Sequence, residues 1–511
     1  MTRIFSLIVL LLLAGSVAAQ NKKQANKYFL AGNFELALDE YAALAEIQPE
    51  NLLFQYRLAV CYLNTNISKT KAIPCLEKVI SAKKFDANAL FLLGRAYHFN
   101  MEFDNAIAAY NRFLETKDGN AENKKEAGRQ IDYCQNAKEL VKFPIEVEFE
   151  NLGQGINSAY QEYLPFVPVN ESFLLFTTRR NDGSNVRPNG LFYSNIYYSK
   201  SENGKFTRPV PLEINTPDQD ENLVGLSNNG EVAVFYRETP ESIGDLFFLS
   251  KKDGKFSVFN RIDPKVNTSY TEIAATISAD SSSIIFASNM PGGFGGIDLY
   301  ICRRLPNGKW SDPQNLGPSV NTIYDEDFPS ISPDGKTLYF SSKGHTSMGG
   351  YDLFYATYNE EKNRFMQVRS MGYPLNTPGD DMNLRISENG KYGYIAAVRP
   401  EGFGDLDIYR VNFKDAESQF TVIKGYIKST DSTARPEAVF ITVSNKTTGE
   451  IMGEYQPNQR NGRYVIILPP GNYSLMIEAE GFSGRMEDLE VYGMESYQFE
   501  VLRDFILTPE K

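Results

Sequence analysis

Over residues 20–142 apolar positions recur with helical spacing, and no stretch alternates as a strand does. The runs "YFLAGNFELALDEYAAL", "CYLNTNISKTKAIPCLEKV" and "AYHFNMEFDNAIAAYNRFL" share one frame. Tyr28, Tyr62 and Tyr97 fall 34 and 35 residues apart, and Ala37, Ala72 and Ala106 fall 35 and 34 apart. Tyr41, Leu76 and Tyr110 each follow an alanine by four positions, one helical turn on. A small residue where two helices touch, with a large ring beside it, predicts stacked helix pairs. Pro49 closes the first unit. Ala121 to Val141 is predicted as a polar-faced helix capping the stack.

From residue 143 to 415 the period changes to that of strands. "EYLPFVPVNESFLLF", "DENLVGLSNNGEVAVF", "TEIAATISADSSSIIF", "DEDFPSISPDGKTLYF" and "DDMNLRISENGKYGYI" each read as acidic residue, apolar strand, turn, apolar strand. A further strand follows each, headed by Asn195, Asp245, Asp298, Asp352 and Asp407, 50 to 55 residues apart. A triplet precedes each unit, with Asn157, Asn215, Asn267, Asn321 and Asn376 at its centre, and is read here as the fourth strand. Four short strands per unit at this period predict a β-propeller of five blades, or six if one blade is degenerate. The strand-like residues Ile145 to Glu150 are expected to complete the last blade and close the ring. Residues 419–508 alternate again, with a turn at Gly471-Asn472, and predict a small β-sandwich. The fold class is therefore multidomain, α plus all-β.

Composition narrows the picture. A net charge of −12 over 511 residues argues against nucleic acid, which needs basic stripes, and against an anionic membrane surface. Arg3, the apolar run Ile4 to Ala14 and the small residues up to Ala19 read as a cleavable export signal over residues 1–19. No later run is apolar enough to span a membrane, so direct insertion is not expected. Cys61, Cys75, Cys134 and Cys302 match no metal spacing. A Cys61–Cys75 disulfide is conceivable after export, but buried free thiols are the simpler reading.

The helical frame resembles the tetratricopeptide repeat. That resemblance places Asn26, Tyr56, Asn64, Phe91, Arg95 and His98 on the concave groove. Such a groove suits a peptide or another subunit's tail; alternatively the repeats only pack against the next domain. The SPDGK-x-LYF-S form resembles the periplasmic WD40-like, PD40 or TolB-type propellers. The V-x-G-x-I opening and the G-x-Y-x-I-x-L-P-P-G-x-Y-x-L run of the last segment resemble the carboxypeptidase regulatory-like domain, which carries no catalytic residues. Taken in order, signal, repeats, propeller and sandwich resemble the OmpA-family, PorE-type envelope proteins of Bacteroidota. The resemblance implies a periplasmic, outer-membrane-associated role in type IX secretion or gliding, through protein partners such as an outer-membrane barrel or secretion-complex subunits. The family's peptidoglycan-binding OmpA-like domain would begin near "FILTPEK", where this chain stops, so peptidoglycan binding is not expected.

Candidate chemistry is sparse, and neither catalytic residues, cofactor nor metal is expected. The glycines of "SMGGYD" and "MPGGFGGID" lead into strands, not helices, which speaks against phosphate binding. A Ser-His-Asp triad would need His345 beside Ser341, Ser342 or Ser347, and those serines read as turn residues. Acid pairs within Tyr324–Asp327 and Gly379–Asp381 could suggest glycosidase chemistry, yet they follow the repeat where a catalytic pair should break it. The alternatives to a scaffold are a TolB-like integrity or sensing protein and, further off, a glycan-binding or glycan-cleaving one.

Overall fold

The computed structural model describes residues 22–187, 189–227, 229–239, 242–387, 392–414, 421–492 and 500–510. The expected signal, residues 1–19, lies outside the described residues. Seven helices come first: α1 (22–30), α2 (Phe34–Ile47), α3 (Leu52–Leu63), α4 (Ala72–Ile80), α5 (Asn88–Phe99), α6 (Phe103–Glu115) and α7 (Ala121–Leu140). Asparagines start three of them: the side chains of Asn33, Asn51 and Asn120 accept from Leu36 N, Phe54 N and Glu122 N, filling amides that a helix N-terminus leaves unpaired. Ala37, Ala72 and Ala106 are fully buried, as are Tyr41, Leu76 and Tyr110. Gly94 shows why the helices need small residues where they cross. A Cβ there would lie 2.5 Å from the Tyr110 ring.

Five antiparallel sheets form the propeller among the described residues. Blades 1 to 4 begin at the innermost strands Glu162–Phe166, Glu221–Leu226, Glu272–Ile277 and Glu326–Ile331. Blade 5 contains Arg385–Ile386, Tyr392–Ala397 and Asp407–Phe413. Its fourth strand comes from the other end of the domain: Val147–Asn151 pairs antiparallel with Asp407–Phe413, Val147 opposite Phe413 and Asn151 opposite Tyr409. The ring is thus closed by the segment that the strand pattern singled out.

The asparagine triplets are not strands, which corrects the sequence reading. Outer strands such as Lys255–Arg261 and Arg364–Ser370 lie ahead of them. Each asparagine instead clamps the third strand of the preceding blade. Asn321 Oδ1 accepts from Leu299 N (2.8 Å) and its Nδ2 donates to Leu299 O (3.0 Å). Asn215 does the same to Ile196, Asn267 to Leu246 and Asn376 to Leu353. Asn157 reaches across the closure to Ile408 of blade 5, at 2.8 and 3.0 Å. A side-chain amide offers the same donor and acceptor as a peptide unit, so it finishes the pairing of a buried strand without another strand.

The last segment is a two-sheet sandwich. Thr421–Ser429 lies between Arg463–Leu468 and the two strands Glu500–Leu502 and Phe505–Leu507, facing the sheet Ile451–Tyr455, Glu437–Asn445, Gly471–Glu480, Arg485–Val491. Its core joins Ile423, Ile441, Val443, Ile466 and Leu475.

Helix α7 is more than a solvated cap. On one side Asn136 Nδ2 donates to Ser347 O of blade 4 (2.6 Å), and the Tyr133 hydroxyl donates to Lys343 O. Met348, from the same loop, is fully buried among Leu90, Phe91, Tyr110 and Ile131 of the helices. On the other side Arg463 of the sandwich donates to Asn136 Oδ1 (3.0 Å), Asn458 donates to Asp132 (2.9 Å), and Leu140 with Phe143 packs on Val422, Val465 and Ile467. Polar residues that look like a solvated face in sequence are here the contacts of two domains.

Two outcomes follow. Asn321→Ala leaves the buried Leu299 N–H unpaired, while the Leu299 carbonyl keeps its bond from Leu316 N, and should cost about 2 kcal/mol, read as a lower urea midpoint. Met348→Ala removes a buried side chain from the helix–blade contact at about 2–4 kcal/mol. Amide exchange over α5 and α7 should then accelerate while that of blades 1 and 2 stays unchanged.

Candidate functional site

The amide-rich glycine loops of the propeller are occupied by the protein's own carboxylates. Asp298 accepts from Phe294 N (2.6 Å), Gly295 N (2.9 Å) and Asn315 Nδ2 (2.8 Å). Asp352 accepts from Met348 N and Gly349 N, and Asp407 from Phe403 N and Asn151 Nδ2. These nests are already filled by the protein's own carboxyl groups, which is why the third strand begins with an acid.

The acids that start the inner strands are likewise engaged. Glu326 accepts from Thr322 N (2.7 Å), the Thr322 hydroxyl (2.8 Å) and the Ser342 hydroxyl (2.6 Å). Glu162, Glu221, Glu272 and Asp381 repeat the bond to the preceding Ser or Thr amide. Burial pushes the carboxyls of Glu326, Asp327 and Asp381 up to about 7. His345 does not meet a serine: its Nε2 lies 2.8 Å from Val320 O, and the Ser347 hydroxyl donates to Ser342 O and Gly344 O. All four cysteines are free and buried, and burial raises the Cys61 thiol to about 12 and that of Cys75 to about 11. Among the described residues no group of His, Cys, Asp and Glu gathers as a metal site, and no helix is long and apolar enough to cross a membrane.

A recess of about 1270 Å³ lies between the helical stack and the propeller. Asn64, Phe91, Arg95 and His98 line its helical wall, four of the six groove residues inferred from sequence. The other two lie elsewhere. Asn26 Oδ1 accepts from the Tyr41 hydroxyl (2.7 Å) and from Arg57, and Tyr56 packs among the repeat aliphatics, where burial raises its hydroxyl. Phe91 is mostly core, its ring tilted against those of Tyr110 and Phe113.

His98 belongs to the domain contact. It is buried, its Nε2–H donates to Met348 O (2.8 Å), and burial lowers its pKa to about 4, so it stays neutral. The repeats therefore pack on the next domain and also leave a cleft beside that contact.

Two residues that the sequence did not single out shape that cleft. Lys69 sits in a short turn between α3 and α4, and its Nζ donates to Leu63 O (3.2 Å) and Thr65 O (2.8 Å). Its signal is the unusual "NISKTK" link, longer than the other turns. Asn383 lies on the propeller wall in the left-handed region at φ 58°, where Leu164 (51°) and Phe328 (48°) stand in their own blades. An asparagine replacing an apolar residue at one position of "EYLPF", "EDFPSI" and "DMNLRI" could have flagged it.

The tetratricopeptide repeat family model matches residues 69–121. Three solved structures resemble the propeller portion. A TolB from Agrobacterium tumefaciens is 14% identical, covering 53% of this chain and 98% of that one, TM-score 0.28. An α-L-arabinofuranosidase from Lactobacillus brevis is 11% identical, covering 52% and 93%, TM-score 0.34. An endo-arabinase from Bacteroides thetaiotaomicron is 13% identical, covering 54% and 98%, TM-score 0.32. These likenesses are too distant to say anything of what this chain does. No curated protein matches it.

The raised carboxyls predict a pH dependence. Their protonated forms are favoured in the folded state, so their stabilisation is full below the ordinary values of 3.8 and 4.5 and is lost as pH rises through about 7. The urea midpoint should fall between pH 5 and pH 8, and Asp327→Asn should flatten that fall.

Proposed function

We propose that this chain is a non-enzymatic scaffold of a bacterial cell envelope that holds a partner protein in the cleft between its repeats and its propeller. The observation that carries the reading is the cleft itself: a recess of about 1270 Å³ with walls from two domains that named bonds lock together. Tetratricopeptide repeats bind protein segments, and the acids and serines that could suggest catalysis are engaged in repeated structural bonds. The leader pattern of residues 1–19 supports export to the periplasm. The order of modules supports association with the outer membrane through a partner, within type IX secretion or gliding machinery.

The test is purification of the tagged chain from native envelopes in mild detergent, with mass spectrometry of what accompanies it. Stable recovery of an outer-membrane barrel or secretion subunits is the expected outcome. Recovery of the chain alone from the soluble fraction overturns the reading. Detergent sensitivity on deletion, with secretion intact, would point instead to a TolB-like integrity role.

A further inference from the structure

We propose that the cleft receives an extended, carboxylate-bearing segment of the partner protein, with an acid on the Lys69–Arg95 pair and a backbone amide on Asn383; this rests on the scaffold reading and names the chemistry of its partner. The two cations share one aromatic ring. Lys69 Nζ lies 5.1 Å from the centre of Phe99 and the Arg95 guanidinium carbon 5.9 Å from it. Two carbonyls orient the ammonium, and among the described residues no carboxylate forms an ion pair with either cation. The other cations of the helical and blade 4 walls are neutralised: Arg129 by Glu126, and Lys343 by Asp325 at 2.9 Å. Lys69 and Arg95 are thus left unpaired in a chain of net charge −12.

Like charges gathered around one ring repel; burial and then Arg95 lower the Lys69 pKa, and Asp405 and Asp380, which form no ion pair with it, offset this only in part. An incoming carboxylate relieves both effects, and charge-assisted bonds are the strong ones. The facing wall supplies a second, independent requirement. Asn383 is 3% exposed and lines the cleft, and its Oδ1 has no hydrogen-bond partner. The Asn383 Nδ2 donates to Pro165 O (3.2 Å), which fixes the direction of Oδ1. A buried acceptor of this kind calls for an N–H donor, and a peptide backbone carries one at every residue. The cleft also exceeds the ~300–1,000 Å³ of small-ligand pockets, in keeping with a chain segment.

The experiment pans a random linear dodecapeptide phage library on the purified full chain and measures the enriched peptides by fluorescence anisotropy. Enriched sequences should carry Asp or Glu and bind more weakly as salt rises. Lys69→Met and Arg95→Met should each weaken them by about tenfold, the scale of one charge-assisted bond. Asn383→Ala should weaken them with no change in salt dependence, and Lys255→Met, on the exposed outer strand of blade 2, should have no effect. Thermal melting of each variant confirms that it is folded. The proposal is overturned by enrichment of peptides without acids, by no enrichment, by tighter binding of a fluorescent oligonucleotide than of any acidic peptide, or by acidic binding that survives the Lys69→Met/Arg95→Met double variant. Should that double variant still recover the envelope partner while acidic peptides fail to bind, this inference falls and the scaffold reading stands. Should acidic peptides bind through Lys69 while no envelope partner is recovered, the cleft chemistry stands and the scaffold reading falls.

Discussion

A ring of sheets has a seam at every blade boundary, and each seam buries backbone groups that water can no longer reach. Five asparagines answer this constraint in this protein. Each offers one donor and one acceptor to the third strand of the blade before it, and the Asn157–Ile408 clamp lies across the closure itself. The innermost strands start just after those asparagines, at acids that accept from the adjacent Ser or Thr amide. Seam and strand start are therefore one repeated hydrogen-bonded unit. Together with the pairing of Val147–Asn151 in blade 5, it leaves the ring without an open edge where the chain enters and leaves.

The rest of the architecture hangs from one place on that ring. The glycine loop of blade 4 resembles the others in folding around its aspartate, but it carries Met348 outward into the helical core. Once Met348 is seated, His98 and Asn136 complete the backbone carbonyls beside it, and Asn136 also accepts from Arg463 of the sandwich. A single buried asparagine on α7 thus touches all three domains. The cleft follows from this docking: the repeats are pinned at blade 4 and arch over blades 5 and 1. Asn66 meets Asp405 farther along that arch.

How far these features were legible differs by residue. Ala37, Ala72 and Ala106, with Tyr41, Leu76 and Tyr110, declare the helical packing because contacts four residues apart repeat in every unit. The five asparagines declared their importance by recurring, although not their role; a clamp and a short strand leave the same periodic trace. Asn64, Arg95 and His98 line the cleft, whereas Asn26 and Tyr56 turn into the first repeats, where Tyr41, Arg57 and the neighbouring aliphatics hold them.

What the sequence by itself determined is everything that repeats: the helix pairs, the five blades, the strand starts, the closing strand and the sandwich alternation. Each of these rests on contacts within or between adjacent units, so the pattern is written many times over. What only the tertiary structure decided is what occurs once. Met348, Asn136, Lys69 and Asn383 have no counterpart doing the same work in another unit. Met348, Asn136 and Asn383 take their roles from residues hundreds of positions away along the chain, and Lys69 from a link that occurs in one repeat alone. A one-time, long-range contact leaves no periodicity to read. The domain junctions and the cleft therefore emerge only when the three folded units meet.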